Sequence, residues 1–227
     1  MKIGAEIILP NPRSVAVKTV EMLGEKLFYM RVIGSLGRVF VSFFIALFSA
    51  VVVALTAHLS KFFEKLFYPV IVMVRATPTM SFIFLCIIWF NSSISPVVVA
   101  LAVLFPILYA SVLTAIKECD ADVVEMSELY GVPKSRQIVW FYLPSVASRV
   151  YSDSVSALAF NVKLIISAEA LAQTGLSLGD SMKLAKETLE VAELFAYTGA
   201  SVLLSYLLEL LLKIVKKGVK KIVYART

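Results

Sequence analysis

Charge is what this chain has least of. Of its 227 residues only 17% are Asp, Glu, Lys or Arg, against about 25% in an ordinary soluble domain. None of them falls between Ala76 and Ile116. With 59% hydrophobic residues and a mean hydropathy of +0.87, a soluble helical protein is excluded, because one water-facing core cannot hide that much apolar chain. Histidine occurs once, as His58 at the end of an apolar run, and cysteine twice, as Cys86 and Cys119. That leaves no metal-ligand spacing and no catalytic set of the kind a membrane-embedded enzyme needs. There is no G-x4-G-K-[ST] and no G-x-G-x-x-G, so the chain shows no nucleotide site of its own. No internal or inverted repeat is evident, and paired intramembrane acids are missing, which counts against the alternative of a self-sufficient secondary transporter or channel. The net charge of +6 reads as the basic flanks of membrane spans rather than a nucleic-acid surface.

What is present is a series of apolar runs of membrane-crossing length. "VFVSFFIALFSAVVVALTA" (39–57) carries no charge and matches the roughly 20 residues that cross a bilayer. Further spans are expected at about 72–90 and 97–116, turned by "NSSISP", at about 150–170, and at about 191–212. "HLSKFFEKLF" reads as a short basic connection and "AQTGLSLGDSMKLAKETLE" as a loop. The expected fold is all-α, a polytopic membrane protein of about five transmembrane helices. Its parts are an N-terminal segment (1–37), a transmembrane domain (38–215) and a basic tail (216–227). The lysine-rich tail places the C-terminus in the cytoplasm, and counting back puts residues 118–146 there too. The basic N-terminal segment would then be external, against the positive-inside trend. Either it lies flat as an interfacial helix or a first span is missing. "MKIGAEIILP" is too short to span and lacks the marks of a signal peptide.

Residues 118–146 are unusually polar for their setting. "DADVVEMSELY" reads as a short helix capped by Asp120 or Asp122, with Glu125 and Glu128 in its early turns. Val123, Met126, Ser127 and Tyr130 fall on one face. Gly131 suits the left-handed residue that ends a helix, and Pro133 prevents it from resuming. "KSRQIVWFYLP" reads as a second helix, broken at Leu143-Pro144. A plain linker has no use for an apolar face, so the segment reads as a docking knob for a partner.

Its spacing resembles the EAA loop of ABC importer membrane subunits: E-A-A, three residues, G, nine residues, I-x-L-P. Here these positions hold Glu125-Met126-Ser127, Gly131 and Phe141-Tyr142-Leu143-Pro144. Other segments resemble the nitrate/sulfonate/taurine branch of these permeases. They are "LPNPRSVAVKTVEML", "SLGRVFVSFFIALFSA" with Ser35, Leu36, Arg38 and Val39, "RATPTMSFIFLCIIWF" with Arg75 and Pro78, and "SAEALAQTGLSLG". The chain departs from the pattern at Phe84 and Asn91, in the two extra residues Leu176 and Ser177, and at the N-terminus.

The resemblance implies a non-enzymatic permease subunit of a bacterial or archaeal inner membrane, paired with a second permease subunit, as a homodimer. Cytoplasmic ATP-binding-cassette ATPase subunits bind the ATP, an extracytoplasmic solute-binding protein delivers the solute, and this chain needs no cofactor. Val123, Glu125, Met126, Ser127, Tyr130, Gly131, Leu143 and Pro144 become the ATPase-coupling residues. Asn161, Lys163, Glu169, Arg75 and Pro78 are candidates for the translocation pathway. Lys163 sits mid-span, where a charge is costly and normally faces the bundle interior or a water-filled route; it either attracts an anion there, or bonds a neighbouring helix or snorkels to an interface. Arg75 is a headgroup anchor or a gate contact, and Pro78 and Pro106 each remove a backbone bond and kink their spans.

Overall fold

The structure is a computed structural model. It describes residues 10–119 and 121–224, and their side chains apart from those of 121, 124, 128, 145, 148 and 215–224. The reading of residues 1–9, Asp120 as a cap, the Glu128 side chain and the last three residues of the tail lie outside it. Among the described residues the secondary structure is helical and no strand occurs. In chain order the elements are α1 (Pro12–Gly24), α2 (Lys26–Leu59), α3 (Lys61–Ala76), α4 (Thr79–Trp89), α5 (Ser95–Lys117) and α6 (Ala121–Leu129). Then come α7 (Lys134–Gln137), a π-helical stretch (Ile138–Tyr142), α8 (Leu143–Ala172), α9 (Leu178–Glu187) and α10 (Val191–Tyr224). Four helices hold membrane-crossing stretches: Lys26–Leu59, Ser95–Lys117, Arg149–Ala172 and Val191–Ile214. The bent pair α3 and α4 makes a fifth if counted as one.

Four expectations change. The span expected at 72–90 is not one helix: it breaks at Thr77-Pro78 and bends sharply there, because proline lacks the N–H that would continue the ladder and disfavours a helical residue before it. The helix that carries the first span starts well before residue 38, since α2 runs unbroken from Lys26. Leu143-Pro144 does not end a helix. The preceding turn widens into a π-helix, with the Leu143 N–H bonded to the Ile138 carbonyl, and that register accommodates the proline so that the chain runs on into α8. Finally, the segment expected as a loop contains α9. Ser177 caps it by accepting from the Asp180 N–H at 3.1 Å, and Leu178, Gly179, Ser181 and Ala185 are buried. The basic tail continues α10 as helix to Tyr224.

The chain forms two compact units. The first draws on residues up to Phe43, on Thr79–Ala100, and on the chain from Leu158 onward. Its apolar centre is Ile83, Cys86, Val99 and Ala168, with Phe82, Ile87, Val98 and Leu171 packed around it. The turn between α4 and α5 is fastened by Ser95, whose hydroxyl donates to the Cys86 and Asn91 carbonyls at 3.0 and 2.8 Å. α1 opens on an Asn11 cap, whose Oδ1 accepts from the Arg13 N–H, with Pro12 in the first turn. α1 and α9 both pack on α10.

The strongest polar feature of this unit joins two separate sequence motifs, the one around Ser35 and Arg38 and the one from Glu169 to Gly179. Glu169 is completely buried. Its carboxylate accepts from the Ser35 hydroxyl at 2.7 Å, from Arg38 Nη1 at 2.9 Å and from the Gly179 N–H at 3.3 Å. Ser35 Oγ in turn accepts from the Leu178 N–H at 3.0 Å. A buried carboxylate is tolerable only when paired and hydrogen-bonded in this way. Gly179 is needed for the fit: a Cβ there would lie 2.6 Å from the Ala170 nitrogen and against the Ile166 carbonyl oxygen. Beside this clasp, buried Asn161 donates to the Val39 carbonyl at 2.8 Å and to Ser42 Oγ at 2.9 Å.

The second unit comprises Phe44–Pro78 and Leu101–Ala157. Small residues let its helices approach closely: Ala46, Ala50, Ala54 and Ala57 recur along one buried face of α2. Ion pairs gather where α3, α5 and α8 end or begin. Lys117 meets Glu64 at 3.2 Å, and Arg149 meets Glu118 at 2.7 Å and Asp153 at 3.5 Å. Each exposed pair contributes no more than about 1 kcal/mol, but Glu118 and Arg149 stand on either side of residues 119–148 and tie the two ends of that segment together.

Two predictions follow from the clasp. Gly179→Ala will lower the thermal aggregation midpoint of the detergent-solubilised chain sharply, because the new methyl meets backbone on two sides. Gly199→Ala, whose Cβ would meet nothing within 4 Å, will leave the midpoint unchanged or raise it. Equal midpoints for the two variants would refute the close-approach account. Glu169→Ala leaves Arg38 and the Gly179 N–H without their acceptor and will cost about 3–5 kcal/mol. Glu169→Gln combined with Arg38→Gln will cost less than Glu169→Ala, measured by chemical unfolding in micelles.

Candidate functional site

The segment between α5 and α8 owes its shape to one residue with a left-handed backbone. Gly131 has φ +68°, and the Val132 N–H closes back onto the Ser127 carbonyl at 2.9 Å while the Tyr130 N–H bonds the Met126 carbonyl at 3.0 Å. A six-residue closure of this kind is a Schellman ending, which satisfies carbonyls that the end of α6 would otherwise leave open. Pro133 then starts α7 from an extended conformation. Gln137, itself buried, braces the turn by donating from Nε2 to the Val132 carbonyl at 3.1 Å. Further on, Tyr142 is buried edge-on against His58, ring centroids 4.8 Å apart.

This rigid turn holds apolar side chains outward. Leu129 and Tyr130 are 82% and 81% exposed, and Val123, Met126 and Trp140 are exposed as well. Glu125 is exposed beside them. Of the residues expected to share the docking face, Val123, Met126 and Tyr130 therefore lie on the surface. Ser127 does not: it is buried, one side of α6 being turned inward at that position. Leu129 takes its place, three residues beyond Met126 on the helix surface; its spacing from Met126 and Tyr130 was the available signal. Trp140 was likewise absent from the expected set. Leu143 and Pro144 are exposed at the start of α8.

The residues considered for a pathway are placed very differently from one another. Glu169 and Asn161 are fully buried in helix packing; the Glu169 carboxylate and Asn161 Nδ2 are committed to the contacts described above, whereas Asn161 Oδ1 has no hydrogen-bond partner among the described residues. Arg75 Nη2 donates to the Pro106 carbonyl at 2.8 Å and so ties α3 to α5. Pro78 forms the break between α3 and α4. Lys163 is exposed and has no hydrogen-bond or ion-pair partner among the described residues. It lines a cavity of about 430 Å3 formed by residues of α8, α9 and α10.

Comparison with known proteins bears on the chain as a whole. Residues 42–221 match the family described as "Binding-protein-dependent transport system inner membrane component". The chain is also similar to the taurine transport system permease protein TauC of Escherichia coli (strain K12), 23% identical over 211 residues, which is 90% of this chain and 76% of that protein. With several membrane-length helices and most of its length inside the family match, the chain belongs to the binding-protein-dependent transport system inner membrane components and is a permease subunit.

Proposed function

We propose that this subunit carries a small organic anion or zwitterion inward across the cytoplasmic membrane as part of an ATP-driven importer. A second copy of the chain completes the membrane pair, a binding protein delivers the solute from outside, and a separate cytoplasmic ATPase supplies the drive. The similarity to a taurine permease favours an aminosulfonate or a related compound as the solute. The reading places the C-terminus and the segment before α8 in the cytoplasm, where the tail lysines favour them.

The observation that carries the coupling is the pair Leu129 and Tyr130, large, apolar and almost fully exposed at the tip of a turn locked by Gly131. A side chain of this kind gains nothing from water, and a rigid aromatic anchor beside an aliphatic one is a favoured centre for a protein interface. α6 would sit in a groove of the ATPase with Met126, Leu129 and Tyr130 buried and Glu125 at the rim. Gly131 turns the chain so that α6 stands clear of the helix leading into α8. When the ATPase dimer closes on ATP, the seated knob moves with it and the spans exchange inward- and outward-facing arrangements. The exposed Glu118–Arg149 and Lys117–Glu64 pairs steady the base of the knob against that pull.

Two experiments test this reading. Co-expressed with the ATPase encoded beside it, the tagged chain will retain that ATPase through detergent purification, and Leu129→Asp with Tyr130→Asp will weaken retention about 30-fold or more. A wild-type chain that retains no ATPase would instead point to a self-sufficient transporter. Gly131→Pro forces φ to about −65° where +68° is required. It will abolish uptake of radiolabelled 2-aminoethanesulfonate into proteoliposomes while membrane insertion stays at the wild-type level; normal uptake by this variant would sink the knob account.

A further inference from the structure

The cavity beside Lys163 contains both signs of charge. Lys163 and Ser167 lie one turn apart on α8, and Ser201, Ser205 and Glu209 recur every four residues on α10, a face about 12 Å long. Tyr206 adds a hydroxyl from the same helix. Lys163 and Glu209 line the same space, yet they form no ion pair with each other. Glu209 instead has Oε1 held by Lys213 at 2.6 Å. Lys163 stands nine residues before the end of α8, about 13 Å along the axis, and fourteen residues after Arg149, about 21 Å. An ammonium at that depth is costly in a membrane span. Its usual remedies, an acidic partner or a nearby helix end, are not available to it among the described residues.

We propose that this cavity binds a small zwitterion, an oxoanion and an amine on one short skeleton. The oxoanion lies against Lys163, with Ser167 and Tyr206 donating to it. The amine donates to Glu209 Oε2 and to the hydroxyl oxygen of Ser205, and Ser201, two turns from Glu209, accepts through a bridging water. Those serines already spend their own hydrogens on helix carbonyls, Ser201 on Thr198 at 2.8 Å and Ser205 on Ser201 at 3.0 Å, so toward a ligand they are acceptors, as an amine requires. A lone anion would leave Glu209 Oε2 unused and a lone cation would meet Lys163, so two charges that are not paired with each other favour a ligand carrying both. The volume, about 430 Å3, holds such a ligand together with several waters. The same chemistry is offered by a free amino acid or aminosulfonate and by a phosphoethanolamine lipid headgroup; the depth of Lys163 favours the free solute. As a stage in transport the site rests on the importer reading, but the binding itself does not.

The test uses the permease–ATPase complex in nanodiscs of phosphatidylglycerol, titrated calorimetrically with 2-aminoethanesulfonate, β-alanine and phosphoethanolamine. Ethanesulfonate and ethylamine serve as probes of each half. At least one zwitterion will bind saturably, and both half-probes will bind at least tenfold more weakly. Lys163→Met will weaken the zwitterion tenfold or more, and Glu209→Gln will do so while leaving ethanesulfonate no weaker than in the wild type. Native mass spectrometry in discs containing phosphatidylethanolamine separates the sources: retention of that lipid, lost in Lys163→Met, assigns the charge couple to a headgroup. No saturable zwitterion and no retained lipid, or undiminished binding by Lys163→Met, would overturn the proposal. ATPase retention measured on the same samples reports on the importer reading separately.

Discussion

A single buried carboxylate organises the first unit. Glu169 has no contact with water and is held by a hydroxyl and a guanidinium from one distant stretch, at Ser35 and Arg38, and by a backbone N–H ten residues further on, at Gly179. The interaction specifies more than it stabilises. Bringing the charge out of water costs several kcal/mol, which its partners roughly return, but any arrangement that lacks one of them leaves an ion unsatisfied in an apolar setting. α2, α8 and the start of α9 are thereby tied to one relative register. The close approach at Gly179 belongs to the same constraint, because the backbone N–H reaches the carboxylate only if no side chain stands between the helices.

The second unit solves a different problem. It holds apolar side chains outward without letting them fold back. Its devices are local and mostly backbone-based: a left-handed glycine, a six-residue closure, a proline that restarts the helix, and a π-helical stretch that carries the chain past Pro144. Each fixes direction at little cost in buried surface, so Leu129 and Tyr130 remain exposed on a stiff support. Preorganisation of this kind reduces the ordering cost of docking.

Charge placement distinguishes the polar residues of the first unit. Glu169 and Arg38 are spent on each other. Lys163 and Glu209 share a cavity and are not. In sequence these residues look alike, polar groups interrupting apolar helices, and the expectation grouped Asn161, Lys163 and Glu169 together. Which of them is paired depends on what α2 and α9 bring alongside, and that is a long-range property with no local signature.

The sequence by itself determined the class and the parts: apolar runs too long for a soluble core, a polar segment with Gly131 and Pro133 at helix-ending positions, and motif spacings that survive replacement of several residues. These are local properties, fixed by hydropathy and backbone preference, and they were legible for that reason. The tertiary structure decided what depends on neighbours. It showed that Pro78 breaks the expected span at 72–90 whereas Pro144 breaks nothing, because a π turn precedes only the second. It turned Ser127 inward and Leu129 outward, a difference of about half a helical turn that periodicity alone did not resolve over nine residues. Tertiary packing also folded the expected loop after Glu169 into α9, since that helix is held by a cap, a clasp and burial against α10 rather than by its own propensity.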